Sequence, residues 1–457
     1  MFLKIIPKRF TGLNVALAAG LLVNPWLVGY LLLPSNISFQ SRIFIGGLDI
    51  LLITSVLLVY LQGKTPERRK RLVFGFITFI LVILVVEAGL QAVSFVTKLD
   101  DQQQSGFAQK ASLSPYEGIE WAGQYWEEIG EFSLTSVYKP FVGWKYGPYH
   151  GEYINVNSEG VRTTWRPGET PGELAETLYV FGGSTVWGYG ARDDHTIPSY
   201  LYKLLDSSDY DVEVHNYGEW AYTITQETVY LALLLKEGHR PDYVIFYGGA
   251  NEVYAAYQSG VPDAHYDQLR ISEKLGAEPS VPASVSSILN AIPVVLTSYS
   301  KIYMVLDKTI QYIFRSSFQE QDLDAVASDY NDEELRLLSA GIAENYLESI
   351  NFLERLSQSY GFKYAYFQQP TTFTEKKLTD EETATDPRVT DSHHGLLQQM
   401  TYASLVGNPP ASFFSIMEAL GDRTETYYID FVHISEKGNE VIATKIFEIL
   451  EKDLLKE

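Results

Sequence analysis

No cysteine occurs anywhere in the 457 residues, which excludes disulfides, thiolate metal sites and a cysteine nucleophile together. Basic residues are scarce as well: 35 Lys and Arg stand against 57 Asp and Glu, for a net charge of −22. The scarcity is uneven. Residues 1–95 hold nine Lys/Arg and three Asp/Glu, a charge of +6, so residues 96–457 carry −28. A portion this acidic lacks the basic stripe that nucleic acid demands, and no nucleic-acid partner is expected. Internal repeats and low-complexity runs are absent too, so the length points to two or three ordinary units.

Long apolar runs are present, and they lie at one end. The stretches 13–33, 43–61 and 73–95 are each long enough to cross a hydrocarbon core of ~30 Å as a helix. The first follows Lys4, Lys8 and Arg9, as a signal peptide would, but its 21 apolar residues exceed the roughly 7–15 of a signal core and two further runs follow. Three retained transmembrane helices are expected over residues 1–95. Only Arg42 separates the first two, whereas Lys64, Arg68, Arg69, Lys70 and Arg71 lie between the second and third. By the positive-inside rule the N-terminus and the 62–72 loop are cytoplasmic, and everything after Phe95 is outside. Asp49 and Glu87 fall within the apolar runs. An acid there is costly and marks a candidate site, against the plainer reading of a hydrogen bond inside the bundle.

Residues 96–171 read as a connector, irregular or β-rich. Residues 172–457 read as a parallel α/β domain, because apolar strands alternate with helical periodicity. Candidate strands are 177–182, 211–216, 242–248, 363–368 and 427–430. The clearest helix is 332–359, with Leu335, Leu338, Ile342, Tyr346, Ile350, Leu353 and Leu356 on one stripe and Gly361 as its stop. An insertion, 253–330, interrupts the alternation. Its stripe of Val295, Tyr299, Ile302, Leu306, Ile310 and Ile313 reads as core packing, or as a lid or membrane-surface helix.

In open α/β sheets chemistry collects beyond the C-terminal ends of the strands. Four motifs fall there: Gly182-Gly183-Ser184, Asn216-Tyr217-Gly218, Gly248-Gly249-Ala250-Asn251-Glu252 and Asp430-Phe431-Val432-His433. A hydroxyl nucleophile needs a base, and the base needs an orienting carboxylate. Asp430 and His433 are close enough in sequence for a turn to join them, leaving the second imidazole nitrogen for Ser184. The backbone N–H groups of Ser184 and Gly218, with the Asn251 amide, could serve a developing oxyanion.

These four blocks resemble blocks I, II, III and V of the SGNH, or GDSL-like, hydrolase superfamily. The resemblance covers roughly residues 172–450, apart from the insertion. It implies a three-layer, flavodoxin-like parallel sheet, Ser184 as nucleophile, His433 as base oriented by Asp430, Gly218 and Asn251 as further oxyanion donors, and no cofactor or metal. Three departures stand out. Gly183 replaces the aspartate of Gly-Asp-Ser, Ala221 replaces the second glycine common in block II, and Glu252 replaces the aspartate after the asparagine.

Rival residues are few. The G-x-S-x-G elbow of other serine hydrolases is absent around Ser184. A second Asp-x-x-His, Asp391 to His394, lies in a polar loop and reads as a helix start. His195 follows two aspartates and reads as a helix N-terminus rather than a metal ligand, and His215 reads as packing. Trp187 and Trp220 flank the motifs, as sugar platforms or as core. The expected function is therefore a membrane-anchored serine esterase, removing or transferring small acyl groups on an extracytoplasmic carbohydrate. A lipid acyl-hydrolase and a non-catalytic envelope module are the alternatives.

Overall fold

In a computed structural model of the chain, the described residues are 107–168, 175–275 and 330–455, with short breaks, together with scattered positions of a helix within 65–91 and Ser300. The chain divides into two compact units, residues 1–101 with 270–319, and residues 102–269 with 320–457. Among the described residues no helix is long and apolar enough to cross a membrane. The runs 13–33 and 43–61, part of 73–95, Asp49 and the stripe of the insertion lie outside the described residues. Within the first unit the Glu87 carboxylate accepts from Gln91 Nε2 at 2.9 Å and from Ser300 Oγ at 3.1 Å.

The second unit begins with helix α1 (Ala122–Ser133) and two small hairpins, β1 (Ser136–Lys139) with β2 (Gly143–Tyr146), and β3 (Tyr149–His150) with β4 (Asn155–Val156). The main sheet follows: β5 (Glu176–Gly182), β6 (Val212–Gly218), β7 (Tyr243–Gly248), β8 (Lys363–Gln368) and β9 (Phe413–Ser415). Its order is β6-β5-β7-β8-β9, with every pairing parallel. In chain order that is 2-1-3-4-5, the flavodoxin-like winding.

The strands are apolar on both faces because helices cover both. On β5, Leu178 and Val180 enter one core with Ile197, Leu201 and Leu205 of α3 (Ile197–Ser207) and Ile442, Ile446 and Leu450 of α8 (Glu436–Asp453). Tyr179 and Phe181 point the other way, onto Leu231 of α4 (Ile224–Lys236) and Tyr346, Ile350 and Leu353 of α6 (Asp332–Tyr360). Both ends of α6 are fixed locally. Asn331 and Glu334 form a capping box, and Gly361 closes the helix at φ +84°.

The stretch 427–430 is not the fifth strand. It bends back on itself, with Ile429 N–H donating to His433 O at 2.9 Å and Ser435 N–H to Tyr427 O at 2.8 Å. The edge strand is instead three residues long, too short for alternation to reveal.

The connector is built into this unit. Arg162 is 1% exposed. Its Nε donates to Asp193 at 2.9 Å, Nη1 to Trp187 O and Gly188 O at 2.8 Å, and Nη2 to Ala191 O at 2.6 Å. Replacing Arg162 with methionine would take from buried Asp193 its paired cation and remove four donated hydrogen bonds at one junction. A loss of about 3–5 kcal/mol is expected, read as a lower urea midpoint at unchanged slope.

Candidate active site

The position of Ser184 is set by where β5 stops. Gly182 ends the strand, Gly183 caps the following helix, and Ser184 is the first residue of α2 (Ser184–Trp187). Neither glycine can be replaced without a collision. A Cβ on Gly182 would stand 2.4 Å from Tyr247 O, and one on Gly183 would stand 2.2 Å from Asn251 Nδ2. The missing aspartate of the family pattern thus leaves space that the Asn251 amide occupies.

Ser184 Oγ lies 2.6 Å from His433 Nε2, and His433 Nδ1 lies 2.7 Å from Asp430 Oδ2. The bend over 427–435 makes this possible, because Asp430 Oδ1 also accepts the backbone N–H groups of Val432 (3.0 Å) and His433 (2.8 Å). Asp430 is buried, which by itself raises a carboxyl. The His433 ring, then Lys110, outweigh burial and hold it well below the usual range. Asp430 is therefore an anion at neutral pH, fixed to accept from Nδ1–H and leave Nε2 facing Ser184.

Asn251 opens helix α5 (Ala250–Ser259), and its amide donates to Tyr222 O at 2.8 Å. Gly218 ends β6, at the strand end where the sequence reading put it. Its N–H donates to Asn216 Oδ1 at 3.0 Å and is engaged inside the sheet edge. What Gly218 supplies is closeness: a Cβ there would stand 2.2 Å from Trp187 N. Asn216 tightens the same junction, its Nδ2 donating to Val186 O at 3.1 Å.

The Asn251 amide meets the loop beyond Gly218 at Tyr222 O, next to Ala221. Ala221 adopts φ +59°, in the left-handed region that favours glycine. Neither its N–H nor that of Ser184 has an acceptor among the described residues. Sequence reasoning noted Ala221 only as a departure from the family pattern. The signal it carried was positional, since a residue in the place of a common glycine inherits that glycine's backbone.

Connector residues brace this loop. Trp144 Nε1 donates to Trp220 O at 2.9 Å, Tyr222 OH donates to Trp144 O, and Glu219 Oε2 accepts Tyr146 N–H at 3.4 Å. Glu219 is fully buried, and burial raises its carboxyl against the pull of Lys145, 3.9 Å away. The Tyr189 ring lies 4.4 Å from the His433 ring and 5.3 Å from that of Trp220. Trp187 is core, stacked 4.7 Å from Phe132 with the Arg162 guanidinium 4.0 Å away.

The rival histidines stay elsewhere. Asp391 caps a helix, accepting from His393 N–H at 3.0 Å and His394 N–H at 3.1 Å. The His394 ring is buried on Tyr257 at 5.1 Å, and burial lowers it to about 4, so it is neutral. His195 contacts Tyr200 OH at 2.8 Å, and His215 lies beside Glu213 at 3.7 Å. Among the described residues no cluster of His, Asp and Glu could hold a metal ion.

Replacing Asn251 with alanine would remove the side-chain amide beside Ser184. The kcat/KM for an ester is expected to fall about 10²–10³-fold with KM little changed, as steady-state kinetics would show.

Against known proteins, a family model described as GDSL-like Lipase/Acylhydrolase matches residues 178–446. Solved structures similar to this chain include a lipolytic G-D-S-L family protein from Veillonella parvula, 10% identical, covering 61% of this chain and 100% of that one at a TM-score of 0.32. The psychrotrophic esterase EstA from Pseudoalteromonas is 12% identical over 61% and 97% of the two chains, at 0.28. An acetyl xylan esterase, AlAXEase, is 11% identical over 60% and 99%, at 0.30. No curated protein matches.

Proposed function

The chain belongs to the GDSL-like lipase/acylhydrolase family and is an ester-bond hydrolase, and on that premise we propose a membrane-tethered serine esterase acting on small acyl groups of an extracytoplasmic carbohydrate. The observation that carries the mechanism is the relay of Ser184, His433 and Asp430 at 2.6 and 2.7 Å. Ser184 Oγ gives its proton to His433 Nε2 and attacks the ester carbonyl. The oxyanion takes the N–H groups of Ser184 and Ala221 and the Asn251 amide. Collapse returns the proton to the leaving alcohol and leaves the acyl group on Ser184. Water, or an acceptor hydroxyl, then gives its proton to His433 and removes the acyl group.

Tethering and direction rest on the three apolar runs and on the five cations at 64–71. Carbohydrate is supported by the half-buried rings of Tyr189 and Trp220 beside the relay, since aromatic faces stack on sugars. One observation favours a lipid substrate instead. The β1–β2 hairpin exposes Tyr138 and Phe141 at 79% and 81%, an apolar tip suited to a bilayer surface. Turnover of aryl acetate, aryl palmitate and acetylated oligosaccharide by the full chain separates the two. Preference for acetyl esters and release of acetate from the sugar is the expected result; preference for palmitate would replace it with the lipid reading. A periplasm-type reporter fused after Leu99 should be active and one fused at Gly63 silent; the reverse would overturn the orientation.

A further inference from the structure

Lys110 belongs to the connector, 320 positions from Asp430, yet its Nζ donates to Asp430 Oδ2 at 3.2 Å. That is the oxygen that also accepts His433 Nδ1–H. The ammonium group also lies over two rings, 5.0 Å from the centre of Tyr189 and 5.6 Å from that of Trp126. Tyr189 in turn lies against His433. The cation thus contacts two aromatic rings and the carboxylate that faces the imidazole.

We propose that Lys110 is a positioning residue of the esterase: it fixes the Asp430 rotamer and offsets part of its charge, so that the pH profile of the reaction depends on this cation. This rests on the serine-esterase reading above. The physics is direct. A carboxylate facing an imidazole favours a proton on it, and a cation on the same carboxylate opposes that proton. The same contact makes the connector part of the working site, because moving Lys110 away would withdraw the charge.

Other charged or titratable groups face Asp430 and His433. Arg388 acts on Asp430 from the segment before the helix at Ser392–Gly407, but it is committed to Asp386, with Nη2 to Oδ2 at 2.5 Å and Nε to Oδ1 at 3.0 Å. Tyr116 and Tyr189 are both neutral, raised by burial first and by Asp430 among the nearby anions. Ser184 carries no charge. Lys110 is therefore the one cation among the described residues that touches Asp430 itself.

The test compares aryl ester kcat/KM against pH for the full chain and for Lys110→Met and Lys110→Arg. In Lys110→Met the acid limb is expected to move to higher pH by roughly half to one unit, a contact screened by the partial exposure of the lysine. At a pH below that limb, kcat/KM should fall about 3–10-fold, which is the same shift read at one pH. KM at the plateau should hold, since Lys110 does not touch substrate, and Lys110→Arg should restore the limb. An unmoved limb in Lys110→Met, or one that arginine fails to restore in a protein that melts normally, would overturn the proposal. Absence of Ser184-dependent turnover in the unaltered chain would instead overturn the esterase reading, and this proposal with it.

Discussion

Ser184→Ala is expected to lower ester turnover by about 10⁴–10⁶-fold while leaving the melting temperature nearly unchanged. The size follows from the role. In the proposed mechanism Ser184 Oγ is the atom that bonds to the acyl carbon, and His433 has no other hydroxyl within hydrogen-bond reach among the described residues. Backbone donors and substrate binding would survive, so a small residual rate above that of water is expected. Stability should survive too, because Ser184 Oγ makes only the bond to the imidazole, and alanine suits the first turn of a helix. The measurement is kcat for an aryl ester beside a thermal melt. Activity within tenfold of the unaltered chain would remove Ser184 from the mechanism.

The second large effect is at Asp430. Asp430→Asn keeps the volume of the side chain but reverses its logic. The amide can donate toward His433 Nδ1, which then presents Nε2–H to Ser184 and cannot take the serine proton. A fall of about 10⁴-fold in kcat is expected. The substitution also leaves Lys110 beside a neutral group, where it now faces the imidazole without an intervening anion. Some recovery at high pH is therefore expected, because hydroxide can take over deprotonation of the serine. Equal activity of Asp430→Asn and the unaltered chain across pH 6–9 would mean that the carboxylate does not orient the base.

Much of the parallel sheet was legible, because buried strands are apolar runs with turn residues at their C-terminal ends. Four of the five candidate strands match observed strands to within two residues, and α6 runs from cap to cap where its stripe indicated. The fifth strand was missed for a physical reason. Phe413–Ser415 is an edge of three residues, whereas 427–430 has the apolar look of a strand but spends its hydrogen bonds on a bend. The candidate site was legible where residue identity carries the geometry, since Ser184, His433 and Asp430 come together in series. It was not legible where backbone shape does. Gly218 is conspicuous in sequence yet spaces β6 from Trp187, and Ala221 is inconspicuous yet holds the left-handed turn. Least legible was the connector. Lys110, Trp144, Tyr146 and Arg162 reach the site from a segment whose local pattern announces only turns and aromatic patches. Contacts across 320 positions leave no trace in a single sequence.

The role of Ser184 is tested most directly by mapping a fluorophosphonate adduct on the full chain by peptide mass analysis. The reagent reacts only with a hydroxyl that a neighbouring base has activated. The expected result is one adduct, on Ser184, that is lost in His433→Ala at an unchanged melting temperature. An adduct on another serine, or labelling of Ser184 that persists undiminished without His433, would contradict the assignment.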